Sequence, residues 1–255
     1  MKPIRILNIL TLLITITING LANALPINGL MTGEISDRFK ALFTPAGYVF
    51  AIWGVIYILL IVFAVYQVLP GQKNNTRIDQ IGVWFVLVNL FNGAWILAWH
   101  YEQFLISLIL MLGLLSSLLI VYTRLKIGIN KIKPIERWLV DLPFSIYLGW
   151  ISVATIANVS TVLIDMNWNG FGVSPTFWTV LMILIAVVLG IFMTVKRNEA
   201  AYTLVLIWAF TGIYNNGSGN NTVTTSGLIA AIALALIIIY FRLVLTRKKL
   251  LSRYK

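Results

Sequence analysis

The chain has 255 residues, 60% of them hydrophobic and 11% charged; so few charges cannot cover a soluble domain, and its long apolar runs read as transmembrane helices. With no cysteine and a single histidine, His100, the sequence excludes disulfides, thiolate metal sites and a histidine-built zinc centre. Its net charge of +11 forms no basic stripe outside short loops, which excludes nucleic acid as a partner.

A helix needs about 20 apolar residues to cross a bilayer. Eight stretches qualify: 6–27, 47–69, 80–100, 103–124, 138–164, 175–195, 199–214 (the shortest) and 226–246. The predicted fold is all-α, a polytopic integral membrane bundle of about eight transmembrane helices. The connections at 32–44, 70–79, 126–137, 165–174 and 215–226 are rich in Gly, Pro, Asn and charge. In the first stretch, Lys2 and Arg5 before an apolar run ending in Ala22-Asn23-Ala24 also fit a secretory signal with a cleavage site. However, Asn8, Thr11, Thr15, Asn19 and Asn23 recur at steps of three or four, as polar residues do when a span faces a bundle. A retained first span is the expectation.

Positive charge tests the count. Alternation from an internal N-terminus puts Lys2, Arg5, Lys73, Arg77, Arg124, Lys126, Lys131, Lys133, Arg137, Lys196, Arg197 and Arg242 inside, together with the C-terminal Arg247, Lys248, Lys249, Arg253 and Lys255. Arg38 and Lys40 alone fall outside. One missed helix would reverse every later loop, so this asymmetry supports eight spans with both termini inside. The C-terminal cluster reads as a topology anchor on an anionic leaflet. Trp99, Tyr101, Tyr122, Trp138, Trp178 and Tyr240, near segment ends, read as an interfacial belt. Asp141, inside a span, is expected to pair with Arg137 one turn earlier, and His100, beside Glu102, to sit solvated at the outer rim.

Three faces stand out from this background. Tyr48, Phe50, Trp53 and Tyr57 fill the first turns of the second span, the last three at helical spacing. Asn89 and Asn92 lie three residues apart on the third span, followed by Trp95 and Trp99. On the fifth, Tyr147, Trp150, Ala154, Asn158 and Thr161 recur at three and four. Such faces either make ordinary polar and aromatic helix packing or converge on an aromatic-walled pocket in which a few polar groups orient a ligand.

The residues Pro45-Ala46-Gly47-Tyr48-Val49-Phe50 and Trp53-Gly54-Val55-Ile56-Tyr57, the pair Asn89 and Asn92, and Trp150 to Asn158 resemble, in order, the motifs of the TspO/translocator-protein family of tryptophan-rich sensory proteins. The resemblance covers about residues 1–165, a five-helix unit, and leaves 166–255 as three additional helices with a basic tail. It implies a pocket closed by the loop between the first two helices and a flat hydrophobic ligand, a porphyrin or sterol. The ligand-binding set it implies is Tyr48, Phe50, Trp53, Tyr57, Asn89, Asn92, Trp150, Ala154 and Asn158. It implies no catalytic residue, metal or cofactor, a porphyrin- or haem-type molecule being a ligand rather than a prosthetic group. The partners are membrane lipids and that hydrophobic small molecule; a homodimer is compatible, and the setting is a bacterial plasma membrane. The leading expectation is a receptor or translocator. The alternatives are a porphyrin-degrading enzyme with Trp53 and Trp150 as redox-active neighbours, and a secondary transporter, which lacks mid-span ion-coupling carboxylates here. Relative to the family, one residue is missing between Phe50 and Trp53, a change that rotates Trp53 by about 100° on an α-helix.

Overall fold

Pro3 opens α1 (Pro3–Ala24) at its first turn, where the missing N–H costs nothing. A computed structural model describes residues 2–25, 27–39, 41–216 and 219–251, with side chains as far as 244. In α1 the buried set is Arg5, Asn8, Thr11, Leu12, Thr15, Asn19 and Ala22, while Leu7, Leu10, Leu13 and Ile14 are exposed. Polar inside and apolar outside inverts the soluble pattern, as expected of a helix with lipid on one side and partners on the other.

The chain continues through α2 (Thr32–Arg38), a 3-10 turn at Gly47–Ala51 that leads into α3 (Ile52–Tyr66), and the short α4 (Thr76–Asp79). Asn75 caps α4, its side-chain oxygen accepting from the backbone N–H of Arg77 and Ile78. α5 (Val83–His100) and α6 (Phe104–Arg124) form an antiparallel pair; α7 (Pro134–Glu136) and a π-helical turn at Arg137–Asp141 introduce α8 (Leu142–Asp165). Then follow α9 (Pro175–Lys196), α10 (Ala200–Asn215) and α11 (Asn221–Leu251).

Among the described residues, seven helical segments are long and apolar enough to cross a membrane, and the chain is an all-α, multi-pass integral membrane protein. The remaining predicted span, α10, has 16 residues, about 24 Å at 1.5 Å per residue, short of a hydrocarbon core about 30 Å thick. Tyr202, Thr203, Val205, Leu206, Ala209 and Phe210 are buried, and α10 touches α8, α9 and α11.

One group of helices comprises α1, α3, α5, α6 and α8. α10 lies against α8, and α9 and α11 cover α10. Gly149 permits the α8–α10 approach: a Cβ there would stand 3.0 Å from the Tyr202 carbonyl oxygen. Small residues at crossings are what bring helices together where lipid removes the hydrophobic drive.

Basic residues gather at the end of the bundle opposite α2. Arg5, 3% exposed, donates from Nη1 to the carbonyls of Gln67 (2.8 Å) and Gln72 (2.7 Å), and from Nη2 to Asp79 Oδ1 (2.9 Å). Lys2 pairs with the other Asp79 oxygen. Arg5 thus ties α1 to the α3–α4 connection besides biasing topology. Asp141 pairs with Arg77, not with Arg137. α4 carries Arg77 inward, where it also meets Glu136 at 3.8 Å, whereas Arg137 is exposed. Of the belt residues, Tyr101, Trp138 and Tyr240 are exposed and Trp178 is half-buried. Trp99 and Tyr122 are buried instead: the chain at Thr32 covers the Trp99 indole, and the Arg197 guanidinium lies 5.7 Å from the Tyr122 ring centroid. Lys40 and the cluster Arg247, Lys248, Lys249, Arg253 and Lys255 lie outside the described side chains.

Candidate ligand-binding site

The centre of the site is Trp53, on the first turn of α3. Its ring stacks on Tyr57 (5.5 Å between centroids) and Trp95 (5.9 Å), and meets Tyr147 (6.0 Å) and Trp150 (6.1 Å) edge to face. Phe50 also meets Trp150 edge to face at 5.8 Å. The 3-10 turn explains how both reach Trp150. Three α-helical steps of 100° leave Phe50 and Trp53 about 60° apart, whereas 3-10 steps of about 120° bring residues i and i+3 into line. The tighter winding offsets much of the rotation expected from the missing residue.

From Trp95 the aromatic column continues to Trp99 (6.0 Å, stacked), Phe104 (5.4 Å) and Phe39 (4.7 Å), at the end of α2. Offset-stacked and edge-to-face pairs of this kind contribute about 0.5–1.5 kcal/mol each beyond burial. Trp95, Trp99 and Tyr147 were absent from the predicted ligand set. Their signal was the spacing itself, since Trp95 follows Asn92 by three residues and Trp99 by seven, and Tyr147 precedes Trp150 by three.

Asn92 closes the base of the box. Its Nδ2 donates to Tyr147 Oη at 2.7 Å, and its Oδ1 accepts from Asn19 Nδ2 at 2.8 Å and, at the long distance of 3.5 Å, from Tyr57 Oη. Asn89 turns away from the rings toward α1, donating to Thr11 Oγ1 at 3.2 Å, while its carbonyl accepts from Thr15 Oγ1 at 2.8 Å. The polar face of α1 therefore serves α5. Asn158 is buried on α8 and donates to Ser107 Oγ at 3.0 Å.

Tyr48 is set apart. Its ring meets Trp208 of α10 edge to face at 5.2 Å, and its hydroxyl accepts from Asn215 Nδ2 at 3.0 Å. Trp208 Nε1 donates to the Val49 carbonyl (3.1 Å), Asn216 Nδ2 to the Thr44 carbonyl (2.6 Å), and Ala46 N to the Gly212 carbonyl (3.1 Å). α10 thus grips the turn that launches α3, a role that nothing in its uniform apolar pattern announced.

A cavity of about 30 Å³ remains among the rings, bordered by Trp53, Trp95, Trp150, Ala154 and Asn158, with Thr32, Ser36 and Pro45 above. It has room for a water molecule and not for a drug-sized ligand, whose pockets span about 300–1,000 Å³. Two of the residues that border it, Trp95 and Trp150, nevertheless bury an indole Nε1 without a protein partner.

The roof is α2, and its fastenings are specific. His100, predicted to be solvated, is fully buried because the α1–α2 connection folds over it. Its Nδ1 lies 3.1 Å from the Ile27 carbonyl oxygen and its Nε2 3.0 Å from Thr32 Oγ1. Trp99 Nε1 donates to the Thr32 carbonyl at 3.2 Å, and Arg38 pairs with Glu102 at 2.7 Å. Beyond the roof lies a second cavity of about 600 Å³, bordered by Ala41, Leu42, Ser160, Leu163, Trp168 and Trp178 among others. Ser36 and Pro45 border the inner box, while Ala41 and Leu42 border the outer cavity.

Fold and site together define a polytopic helical membrane protein with a roofed aromatic chamber inside the bundle. The family described as TSPO-like protein matches residues 5–240, and the chain belongs to that family. The match runs through α9 and α10 and into α11, beyond the motifs themselves. No curated protein and no solved structure matches the chain significantly. Membership and the aromatic cluster support, at the coarse level, a membrane ligand-binding or translocator-like role.

Proposed function

We propose that the protein binds a planar hydrophobic molecule, a tetrapyrrole or a sterol-like compound, between the rings of Trp53, Trp95 and Trp150, as a receptor or translocator. One observation carries this reading: two tryptophans that border a small cavity, Trp95 and Trp150, each bury an indole N–H without an acceptor. A buried donor left unpaired costs about 1–3 kcal/mol, and a ligand carboxylate or carbonyl placed among stacked rings would satisfy it. Indole faces suit a flat π-system, and Ala154 leaves space beside them. Asn89, directed to α1, and Tyr48, held by α10, support the chamber from outside it.

The inner box is too small for such a ligand as it stands, so binding displaces α2 and joins the box to the outer cavity, which acts as vestibule. The five helices within about residues 1–165 supply the chamber, and residues 166–255 brace the start of α3 through α10. The charge distribution supports both termini facing the cytoplasm of a bacterial plasma membrane, with the roof outside. Because the chain has no cysteine, single-cysteine accessibility labelling tests that orientation on a clean background.

The binding test is titration of the purified protein with protoporphyrin, followed by tryptophan quenching and thermal stabilisation. Trp150→Phe keeps an aromatic ring and removes the unpaired N–H. Its melting temperature is expected to stay close to that of wild type, while affinity falls about tenfold, the equivalent of one hydrogen bond. Absence of porphyrin binding by the wild type, or unchanged affinity in Trp150→Phe, would overturn the reading in favour of ordinary packing.

A further inference from the structure

A different cavity lies at the opposite, basic end, far from the aromatic chamber in the order of the bundle. It measures about 550 Å³ and sits between the start of α8, the start of α10 and α11. Two arginines from separate helical elements border it: Arg137 on the π-helical turn and Arg242 on α11. Both residues are exposed, and Arg137 enters no ion pair among the described residues. The remaining border is mostly apolar, including Pro134, Leu142 and Leu204. Trp138 stands at its mouth with 63% of its surface exposed, and Leu204 is 55% exposed.

The geometry points to a binding site for a phospholipid with an anionic headgroup, its phosphate held by Arg137 and Arg242 and an acyl chain laid along Leu142 and Leu204. Guanidinium forks match phosphate oxygens in pairs. Basic pockets between spans at a membrane surface favour anionic lipids for that reason. An exposed tryptophan at the same level is the usual marker of the headgroup region. The apolar floor selects a lipid over a free anion, because a soluble phosphate would leave Leu142, Leu204 and Trp138 without a partner.

One carboxyl borders the cavity, Glu199, and its chemistry is compatible. It is 7% exposed, and its Oε1 accepts from the backbone N–H of Ala201 at 2.9 Å as the N-cap of α10. Burial pushes this carboxyl above the usual carboxylate range, against the opposing hydrogen bond from Ala201 and the charge of Arg137. The inference does not depend on what the aromatic chamber binds.

The test uses the full chain in neutral detergent, with phosphatidylglycerol or phosphatidylcholine added and retention read by native mass spectrometry and thermal melting. Phosphatidylglycerol is expected to be retained preferentially and to raise the melting temperature. The double variant Arg137→Gln/Arg242→Gln should lose that preference by about thirtyfold while melting like wild type in phosphatidylcholine. A charge-matched control, Lys73→Gln/Lys131→Gln, removes two exposed cations from the same end outside the cavity and should keep it. Equal retention of the two lipids by the wild type, equal losses in both double variants, or the same stabilisation from inorganic phosphate alone would each overturn the assignment.

Discussion

If the roof must lift for a ligand to enter, weakening its fastening should tighten binding. Thr32→Val is the cleanest perturbation, because it keeps the shape of the side chain and deletes the hydroxyl. His100 Nδ1 faces a carbonyl and so carries the ring proton in the neutral imidazole, which leaves Nε2 as acceptor for the Thr32 hydroxyl. Both side chains are buried, and valine would leave Nε2 without a donor at a cost of about 1–3 kcal/mol. That cost falls on the closed state. When only a fraction of molecules is open, the apparent dissociation constant is the intrinsic one divided by that fraction. A loss of 1–2 kcal/mol should therefore tighten porphyrin binding about five- to thirtyfold while lowering the melting temperature. Arg38→Gln removes a pair whose partners are 52% and 42% exposed. Its effect should be small, as for other solvent-screened pairs. Quenching titrations on the three proteins, with thermal melts alongside, decide the matter. If Thr32→Val melts earlier but binds no more tightly than wild type, α2 is not the gate and the reasoning fails.

Other expectations follow from single contacts. Asn92→Leu breaks the junction of Asn19, Tyr57 and Tyr147; at about 0.6–1.7 kcal/mol per interhelical bond in a membrane, it should lower the melting temperature measurably. Asp79 is held below the usual carboxylate range: burial alone would raise it, but hydrogen bonds and charge from Lys2 and Arg5 outweigh that. Its stabilisation is thus present above the unfolded value near 3.9 and lost as pH falls through the lower folded value. Asp79→Asn should flatten acid melting profiles there. Glu199, raised by burial, has the opposite sign: its contribution is full below about pH 4.3 and lost as pH rises through the folded value, so Glu199→Gln should melt higher than wild type at neutral pH. Gly149→Val would press a branched side chain against the Tyr202 backbone at 3.0 Å and should destabilise the α8–α10 contact by about 1–3 kcal/mol, as overpacking does, read as an earlier melt.

The sequence by itself determined the membrane class, each span to within a few residues, the shortness of α10 and the inward polar face of α1. These are properties of hydropathy and local spacing, and a bilayer converts them directly into helices with a lipid side and a bundle side. The motifs also carried the family. Tertiary structure alone decided which rings meet. Trp53 and Phe50 both reach Trp150 because the chain tightens into a 3-10 turn, and α10 is hydrogen-bonded to Thr44 and Val49 around that turn from more than 150 positions away. Asn89 and Asn92 share a helix and a spacing of three, yet one serves α1 and the other the aromatic box. His100 reads as a rim residue and is buried, since burial depends on which loop folds over it. Asp141 takes Arg77 rather than its nearer neighbour in sequence because α4 carries the guanidinium inward. In each case the deciding quantity is the rotation of a helix about its axis or the path of a loop across its end, and only packing against a distant segment sets those.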